Sequence, residues 1–314
     1  MLARLHSSTN RYNEHFMPDQ QFLLGIDLGG TKIAAGVFNA QHQLAGEIAT
    51  ATTEARERGE VTLANLERAA RDACQRAGST DVAAVGIGST GPVDASTGRI
   101  LEASSLPNLN FFDLGAWVRD RFHAPLYLEN DANCFALGEA LQGAGAGERV
   151  VVAVTLGTGF GCGIVIDGVM YSGMTSNAGE VANCPVAGDT FDNMLSGAGV
   201  CRFYERVRGK PTDLSAREIG DLAERGEREA LQAWHDYGES VGSALGTIAA
   251  VLDPSVCVIG GSVATRFALF ESPLRARMRS ILAPAAAENV KVVLAKLGPA
   301  AGVIGAAEYA FQNL

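Results

Sequence analysis

The stretch LGIDLGGTKIAAGVF, residues 24–38, carries the first indication of the fold. An apolar run is interrupted by Asp27, passes through a short polar turn and becomes apolar again. Two apolar runs joined in this way predict a β-hairpin. Glycines let a backbone approach a ligand closely, so the N–H groups of such a turn can bind a phosphate chain. We assign to this turn Gly29, Gly30, Thr31 and Lys32, with Asp27 as a ligand of Mg²⁺, directly or through water.

A second copy of the pattern follows later in the chain, where Thr155-Leu156-Gly157-Thr158-Gly159 matches residues 27–31. Each copy leaves one predicted strand and enters another. The repeat implies two halves of similar architecture with a cleft between them, and two such turns facing each other would bind a triphosphate from both sides. The alternative is a pair of tight hairpin turns, in which Asp and Gly are common.

Hydrophobic periodicity predicts the remaining elements. Strands are expected over residues 22–28, 32–39, 44–50, 81–90 and 255–263, with a β-turn-β unit over 149–168 and a strand before residue 131. Helices are expected over residues 53–77, 131–142, 233–254 and 301–314.

Composition excludes several classes of function. The formal net charge is −10 without a basic stripe, which argues against nucleic acid and anionic membranes as partners. No apolar stretch reaches the roughly 18 residues of a membrane span. The first 20 residues lack the apolar region of a signal peptide and are expected to form a disordered tail. Six cysteines without a C-x-x-C pair predict reduced thiols and a cytoplasmic protein.

Other phosphate-binding motifs do not fit this chain. A P-loop and the signature motifs of protein kinases are absent from the sequence. Residues 86–91 match G-x-G-x-x-G, but Pro92 and a polar turn follow where a dinucleotide site requires a helix. The glycine turns therefore predict a different kind of nucleotide site.

The candidate catalytic residue is Asp131, within LENDANC at residues 128–134. It stands at the end of a predicted strand and the start of a predicted helix, and a helix N-terminus favours an ionised carboxylate. The alternative is a simple helix cap, since Asp and Asn are common there. Beside two phosphate turns, Asp131 would accept the proton of an attacking hydroxyl. Asn130 would hold neighbouring hydroxyls.

Several motifs together resemble the ROK family of bacterial sugar kinases and repressors. They are IDLGGTK (26–32), GIGSTGPVD (86–94), LENDANCFALGEA (128–140), VTLGTGFGCG (154–163), AGE (178–180) and LDPSVCVIGGSV (252–263). The resemblance implies an α/β, two-domain actin/hexokinase-like ATPase (ribonuclease H-like) fold with a central cleft. The expected domains are 21–127 plus 300–314 and 128–299, after the tail of residues 1–20.

The resemblance also implies roles for individual residues. Asp131 would be the general base toward a sugar 6-hydroxyl. The sugar would be bound by Gly91, Asn108, Asn130, Asp131, Glu180, Asn183 and Asp192. ATP would be bound by Asp27, Gly29, Gly30, Thr31, Lys32, Gly157, Thr158, Gly159, Gly260 and Gly261, with Mg²⁺ at Asp27.

One segment, residues 179–197, departs from the family pattern. Asn183 stands where family members carry a His that binds sugar and zinc, and the cysteine loop with the other zinc ligands is deleted. A structural zinc needs four such ligands, so no zinc is expected. Asp192 falls about where the family has a sugar-binding Glu. Cys184 is expected to be a buried structural thiol.

These expectations converge on an ATP-dependent kinase acting on the 6-hydroxyl of a hexose or N-acetylhexosamine, of the glucose, fructose, N-acetylglucosamine or N-acetylmannosamine type. One alternative is a non-catalytic sugar-sensing protein, suggested by the missing zinc loop. Another is an actin- or chaperone-like ATPase with a protein partner. The family's repressors carry an N-terminal helix-turn-helix domain, for which the residues before the first glycine turn leave no room. A homodimer is the expected assembly.

Overall fold

The computed structural model describes residues 21–79, 81–174, 177–186 and 188–314. The predicted tail of residues 1–20 lies outside the described residues. In chain order the strands are β1 (Leu23–Leu28), β2 (Lys32–Phe38), β3 (Leu44–Thr52), β4 (Ala84–Ser89), β5 (Val93–Asp94), β6 (Arg99–Ile100), β7 (Leu126–Asn130), β8 (Val150–Leu156), β9 (Phe160–Ile166), β10 (Val169–Met170), β11 (Pro185–Val186), β12 (Asp189–Thr190), β13 (Val256–Gly260) and β14 (Lys291–Leu294).

The helices complete the architecture. They are α1 (Gly59–Ala77), α2 (Leu114–Phe122), α3 (Asp131–Leu141), α4 (Phe191–Leu195), α5 (Gly197–Arg208), α6 (Ala216–Glu224), α7 (Arg228–Leu252), α8 (Phe267–Ile281), α9 (Pro284–Asn289) and α10 (Ala301–Asn313), with short 3₁₀ turns at Pro107–Leu109, Val263–Arg266 and Gly298–Ala300.

Two five-stranded sheets share one topology. The first has the order β3-β2-β1-β4-β7 and the second the order β10-β9-β8-β13-β14. In each sheet an antiparallel meander is followed by two strands parallel to its first member. β1–β2 of the first sheet therefore corresponds to β8–β9 of the second. The internal repeat predicted from the two glycine turns is a repeat of sheet topology.

Each sheet is covered by helices on both faces, which explains why its central strands are continuously apolar. β4 and β13 are buried along their whole length. In the first sheet, side chains of β1, β2 and β4 pack with those of α1 and α2 in one core. In the second sheet, α7 brings Trp234 and Tyr237 against the aromatic ring of Phe270 on α8. These two cores lie on the outer faces of the sheets.

The inner faces are joined by two helices, α10 on the first sheet and α3 on the second. α10 lies against β1 and β4, where Gly25 and Gly86 leave room for its backbone. α3 lies against β9, where Cβ atoms on Gly161 and Gly163 would meet Ala132 and Ala136. The two helices also pack on each other: a Cβ atom on Gly305 of α10 would overlap the carbonyl oxygen of Cys134 on α3. The halves thus meet at a tight crossing of α3 and α10.

Most predicted elements are confirmed, with boundaries shifted by a few residues. The exception is the helix predicted over residues 53–77, because α1 begins only at Gly59. Residues 53–58 form a loop in which Glu54 has a positive φ of 58°. The Asn108 side-chain amide donates to the carbonyl oxygens of Glu54 and Glu57, at 3.3 and 3.1 Å. This tertiary contact explains why apolar spacing placed the helix start too early.

No helix among the described residues combines the length and apolar character needed to cross a bilayer. The domain boundaries assigned to the sequence stay a prediction.

Candidate active site

The first glycine turn is closed and braced by hydrogen bonds. The backbone N–H of Gly29 donates to the carbonyl oxygen of Lys32 at 3.1 Å. Thr53, directly after β3, donates its hydroxyl to the carbonyl oxygen of Gly29 at 2.6 Å and its backbone N–H to the carbonyl oxygen of Thr31 at 3.0 Å. Thr31 and Lys32 are exposed. The turn is therefore held from behind by Thr53, which sequence reasoning missed, and presents its polar side chains outward.

Asp27, at the end of β1, directs its carboxylate at the N-terminus of α10. A Cβ atom on Gly302 would lie 2.9 Å from Asp27 Cγ and Oδ2, so the glycine makes space for the carboxylate. Burial, and then the charge of Asp131, raise the pKa of Asp27 from 3.8 to about 7, against the opposing effect of Lys32. The two carboxylates, 104 positions apart in sequence (131 minus 27), thus lie within electrostatic reach of each other.

The raised pKa of Asp27 predicts that stability depends on pH. The pKa of Asp27 in the folded protein is about 7, above the usual 3.8. At pH values between these two, the folded state therefore binds more protons than the unfolded state. The free energy of unfolding therefore falls as pH rises through this range. Without nucleotide and Mg²⁺, we expect the wild-type Tm to fall between about pH 5 and pH 8 more steeply than that of Asp27→Asn. Thermal melts across this range provide the measurement, and parallel curves would contradict the prediction.

Asp131 stands at the first position of α3, directly after β7. Asn130 is the helix cap, since its Oδ1 accepts from the backbone N–H of Ala132 at 2.8 Å. Burial raises the pKa of the Asp131 carboxyl, while the N–H groups of Ala132 and Asp131 itself act in the opposite direction. A carboxylate with a raised pKa is a better proton acceptor. Asn130 thus supplies the cap, and the position of Asp131 suits it to act as a base.

The β8–β9 hairpin that carries the second glycine turn lies against α3 through β9, and the turn itself lies against the segment after β13. A Cβ atom on Gly161 would lie 2.7 Å from Ala132 Cβ, next to Asp131. A Cβ atom on Gly157 would lie 3.9 Å from the hydroxyl oxygen of Ser262, which follows Gly261. Gly260 pairs with Thr155 in the second sheet, and Gly261 adopts a φ of 91° against the backbone of Leu156. Three of the sequence-predicted segments, residues 131–132, 157–161 and 260–262, are therefore brought together.

Asp192, in α4, contacts this second glycine turn. Its Oδ1 accepts from the backbone N–H of Phe160 at 2.8 Å, and a Cβ atom on Gly159 would lie 2.9 Å from the same oxygen. The Gly157 carbonyl oxygen accepts from the N–H of Gly197 at 2.8 Å. This arrangement makes Asp192 a brace of the glycine turn. Its contact with a sugar stays a prediction.

Glu180 and Asn183 lie in an exposed segment that follows β10. Partial burial and the charges of Asp131 and Glu129 raise the pKa of Glu180. Glu180 therefore lies within electrostatic reach of the proposed base. Asn183 and Cys184 are exposed, so the expectation that Cys184 is a buried thiol is wrong. The reason is that Cys184 directly precedes β11 of the short hairpin β11–β12, outside the sheet cores.

The two remaining sugar-site candidates occupy different positions. A Cβ atom on Gly91 would lie 2.7 Å from Asn130 Nδ2, so Gly91 adjoins the Asn130–Asp131 turn. Asn108 braces the loop before α1, where its Nδ2 also donates to the hydroxyl of Thr62 at 2.8 Å. Its Oδ1 is buried, and no hydrogen-bond partner for it is found among the described residues. The Asn108 side chain thus stabilises the loop that leads into α1.

Carboxylate oxygens are the ligands that Mg²⁺ prefers, and Asp27 and Asp131 provide two within electrostatic reach of each other. In the part of the chain that the structure describes, one cluster has three possible metal ligands in close reach: His235, Asp236 and Glu239 on α7. His235 and Glu239 are exposed to solvent, and sequence reasoning did not select this cluster.

Sequence and structure comparisons place the chain among known proteins. The profile of the ROK family matches residues 23–313. N-acetyl-D-glucosamine kinase of Photobacterium profundum is 34% identical over 310 residues, covering 90% of this chain and 97% of the relative. The ROK hexokinase of Thermus thermophilus superposes with a TM-score of 0.82 at 30% identity, covering 93% of this chain and 99% of that structure. A Streptomyces griseus ROK family glucokinase, solved with glucose and AMPPNP, has a TM-score of 0.77 at 28% identity, with coverage of 93% and 99%. These neighbours confirm the predicted actin/hexokinase-like fold.

Proposed function

This chain belongs to the ROK family, and from that premise we propose that it transfers the γ-phosphoryl group of ATP to the 6-hydroxyl of a hexose or an N-acetylhexosamine. One observation carries the proposal: Asp131 lies at the N-terminus of α3, next to the β8–β9 hairpin that carries the second glycine turn, and its carboxylate is in electrostatic reach of Asp27. Relatives named as kinases of glucose and of N-acetylglucosamine support sugar phosphorylation as the reaction.

The proposed reaction is a direct displacement. The sugar 6-oxygen forms a bond to the γ-phosphorus while the bond from that phosphorus to the bridging oxygen breaks, and ADP leaves with the electron pair. The hydroxyl proton passes to a carboxylate oxygen of Asp131. Phosphoryl transfer asks the protein chiefly for positioning and for compensation of negative charge. In an acidic chain with a net charge of −10, we assign much of that compensation to Mg²⁺ held near Asp27.

Different residues would bind the two substrates, ATP and the sugar. The backbone N–H groups of the glycine turns around Gly30 and Gly159 would bind the phosphates, and Lys32 would add a positive charge. The N-termini of α3 and α10 would contribute favourable electrostatics toward anions. Asn130 and Glu180 would bind sugar hydroxyls beside Asp131. Closure of the two halves about the α3–α10 crossing would exclude water.

The test is a coupled assay for ADP release with ATP and Mg²⁺ over a panel of sugars. The panel contains glucose, fructose, mannose, N-acetylglucosamine and N-acetylmannosamine. We expect sugar-dependent turnover with at least one of them. Sugar-induced thermal stabilisation without turnover would instead support a sugar sensor. ATP hydrolysis that no sugar accelerates would support an ATPase with a protein partner.

We also propose that the protein holds no structural zinc. Cys184 is exposed, and the segment of residues 179–197 contains no second cysteine and no histidine. Structural zinc sites use four ligands, mostly cysteine and histidine. We expect elemental analysis of protein purified without chelator to find far less than one zinc per chain. A stoichiometric amount that survives dialysis would contradict this proposal.

A further inference from the structure

Glu129 is a buried carboxylate to which the proposed reaction assigns no role. It precedes Asn130 in β7 and is 1% exposed. Within the described residues no ion pair to Glu129 is found, because its partners are uncharged donors. Burying a carboxylate without a counter-charge is costly unless hydrogen bonds compensate for lost hydration. The contacts of its two oxygens therefore indicate what the residue does.

The first oxygen organises the catalytic turn. Oε1 of Glu129 accepts from the backbone N–H of Asn130 at 2.7 Å and from Asn133 Nδ2 at 3.0 Å. These donors flank Asp131 in sequence, one at the end of β7 and one in the first turn of α3. A single carboxylate oxygen thus connects the residues on either side of the proposed base.

The second oxygen contacts a different segment. Oε2 of Glu129 accepts from the hydroxyl of Ser172 at 3.4 Å. The carbonyl oxygen of Ser172 in turn accepts from the backbone N–H of Ala178 at 3.1 Å, two residues before Glu180. The Glu129 carboxylate is therefore connected to the segment that presents Glu180.

We propose that Glu129 is a positioning residue that fixes the Asn130–Asp131 turn and the Glu180 segment relative to each other through its two carboxylate oxygens. The inference rests on the proposed sugar kinase function, because it concerns the alignment of the base with the residue assigned to sugar hydroxyls. The charge of Glu129 has a second effect, since it raises the pKa of Glu180. The positioning effect of Glu129 and the effect of its charge can be separated, because glutamine keeps the shape of glutamate but carries no charge.

The experiment compares three variants with the wild type in the sugar assay. Misalignment of a reacting group by about 1 Å can cost about 100-fold, so Glu129→Ala should lower kcat/KM for the sugar by about that factor while the KM for ATP stays near the wild-type value. Glu129→Gln retains an acceptor toward Asn130 and Asn133, so it should keep most of the kcat/KM that Glu129→Ala loses. Because the charge of Glu129 raises the pKa of Glu180, its removal in Glu129→Gln should move the part of the acid limb of the kcat/KM profile that reports Glu180 to lower pH. Ser172→Ala should raise the sugar KM about fivefold, the effect of one lost hydrogen bond.

Glu139→Ala is the matched control. Glu139 is a buried glutamate of α3, and its carboxylate accepts from the backbone N–H groups of Ala144, Lys296 and Leu297. This variant should lose thermal stability without a shift in the pH profile or a selective rise in the sugar KM. It therefore measures the effect of deleting a buried, hydrogen-bonded carboxylate away from the site.

Two results would overturn the inference. If the wild type phosphorylates a sugar while the Glu129 variants and Ser172→Ala keep its sugar KM, kcat and pH profile, the positioning role is wrong and the kinase function stands. If the wild type phosphorylates no sugar of the panel, both proposals fall. Should Glu129→Ala not fold, Glu129→Gln and Ser172→Ala decide by the same criteria.

Discussion

Asp131→Asn is expected to lower kcat for the best sugar by about 10³-fold, within the range of general acid–base catalysis. Asparagine has the same shape as aspartate but does not accept the hydroxyl proton at neutral pH. Asn130 remains as the cap of α3, so the helix should keep its start. The KM values for sugar and ATP should therefore change little, and steady-state kinetics at fixed Mg²⁺ provide the measurement.

Asp236→Asn supplies the control for this loss. Asp236 lies on α7 in the cluster with His235 and Glu239, outside the proposed site, and its replacement should leave kcat unchanged. Binding of AMPPNP to Asp131→Asn, measured by calorimetry, checks that the nucleotide site is intact. Full activity of Asp131→Asn on the best sugar would remove the proposed base and with it the proposed mechanism.

Gly305→Ala is expected to destabilise the protein by about 3 kcal/mol, at the upper end of typical overpacking costs. The new Cβ atom would overlap the carbonyl oxygen of Cys134, which is backbone and does not move aside by a change of rotamer. α3 and α10 would have to separate, and with them the inner faces of the two sheets. The Tm should fall by roughly 10 °C, as followed by circular dichroism.

Gly115→Ala is the matched substitution for Gly305→Ala. Gly115 is also a buried helical glycine, but a Cβ atom there would find its nearest neighbour, Arg119 Nη1, at 3.4 Å. Alanine is favoured over glycine in helices by about 1 kcal/mol, so this variant should match or exceed the wild-type stability. Equal losses of Tm in the two variants would contradict the assigned role of the α3–α10 crossing.

The repeated hairpins could be predicted because their signal is local. Apolar runs on both sides of a glycine turn specify β1–β2 and β8–β9 within about 15 residues each. The position of Asp131 at the start of α3 followed from a strand pattern that ends next to a helix pattern. In such segments neighbours along the chain dictate the conformation, so the sequence is sufficient.

Contacts between segments distant in sequence were not predicted. Asp192 was assigned to the sugar by its spacing within residues 179–197, and this assignment stays a prediction; that its carboxylate also accepts from the backbone N–H of Phe160 was not foreseen. Asn108 was assigned to the sugar, which stays a prediction, and the hydrogen bond from its amide to the loop before α1 was not foreseen. Glu129 was missed, although an acidic residue in a buried strand beside Asn130 and Asp131 was a signal that could have been followed.

The sequence alone therefore determined the two glycine hairpins, the helix that starts at Asp131 and the family resemblance. Only the tertiary structure decided that Asp27 and Asp131 share one electrostatic environment, that Glu129 contacts Ser172, and that α3 meets α10 at Gly305. The physical reason is the separation in sequence between the residues that interact. Backbone conformation follows mainly from adjacent residues, whereas burial and the interaction of charges depend on the packing of segments that are distant in sequence.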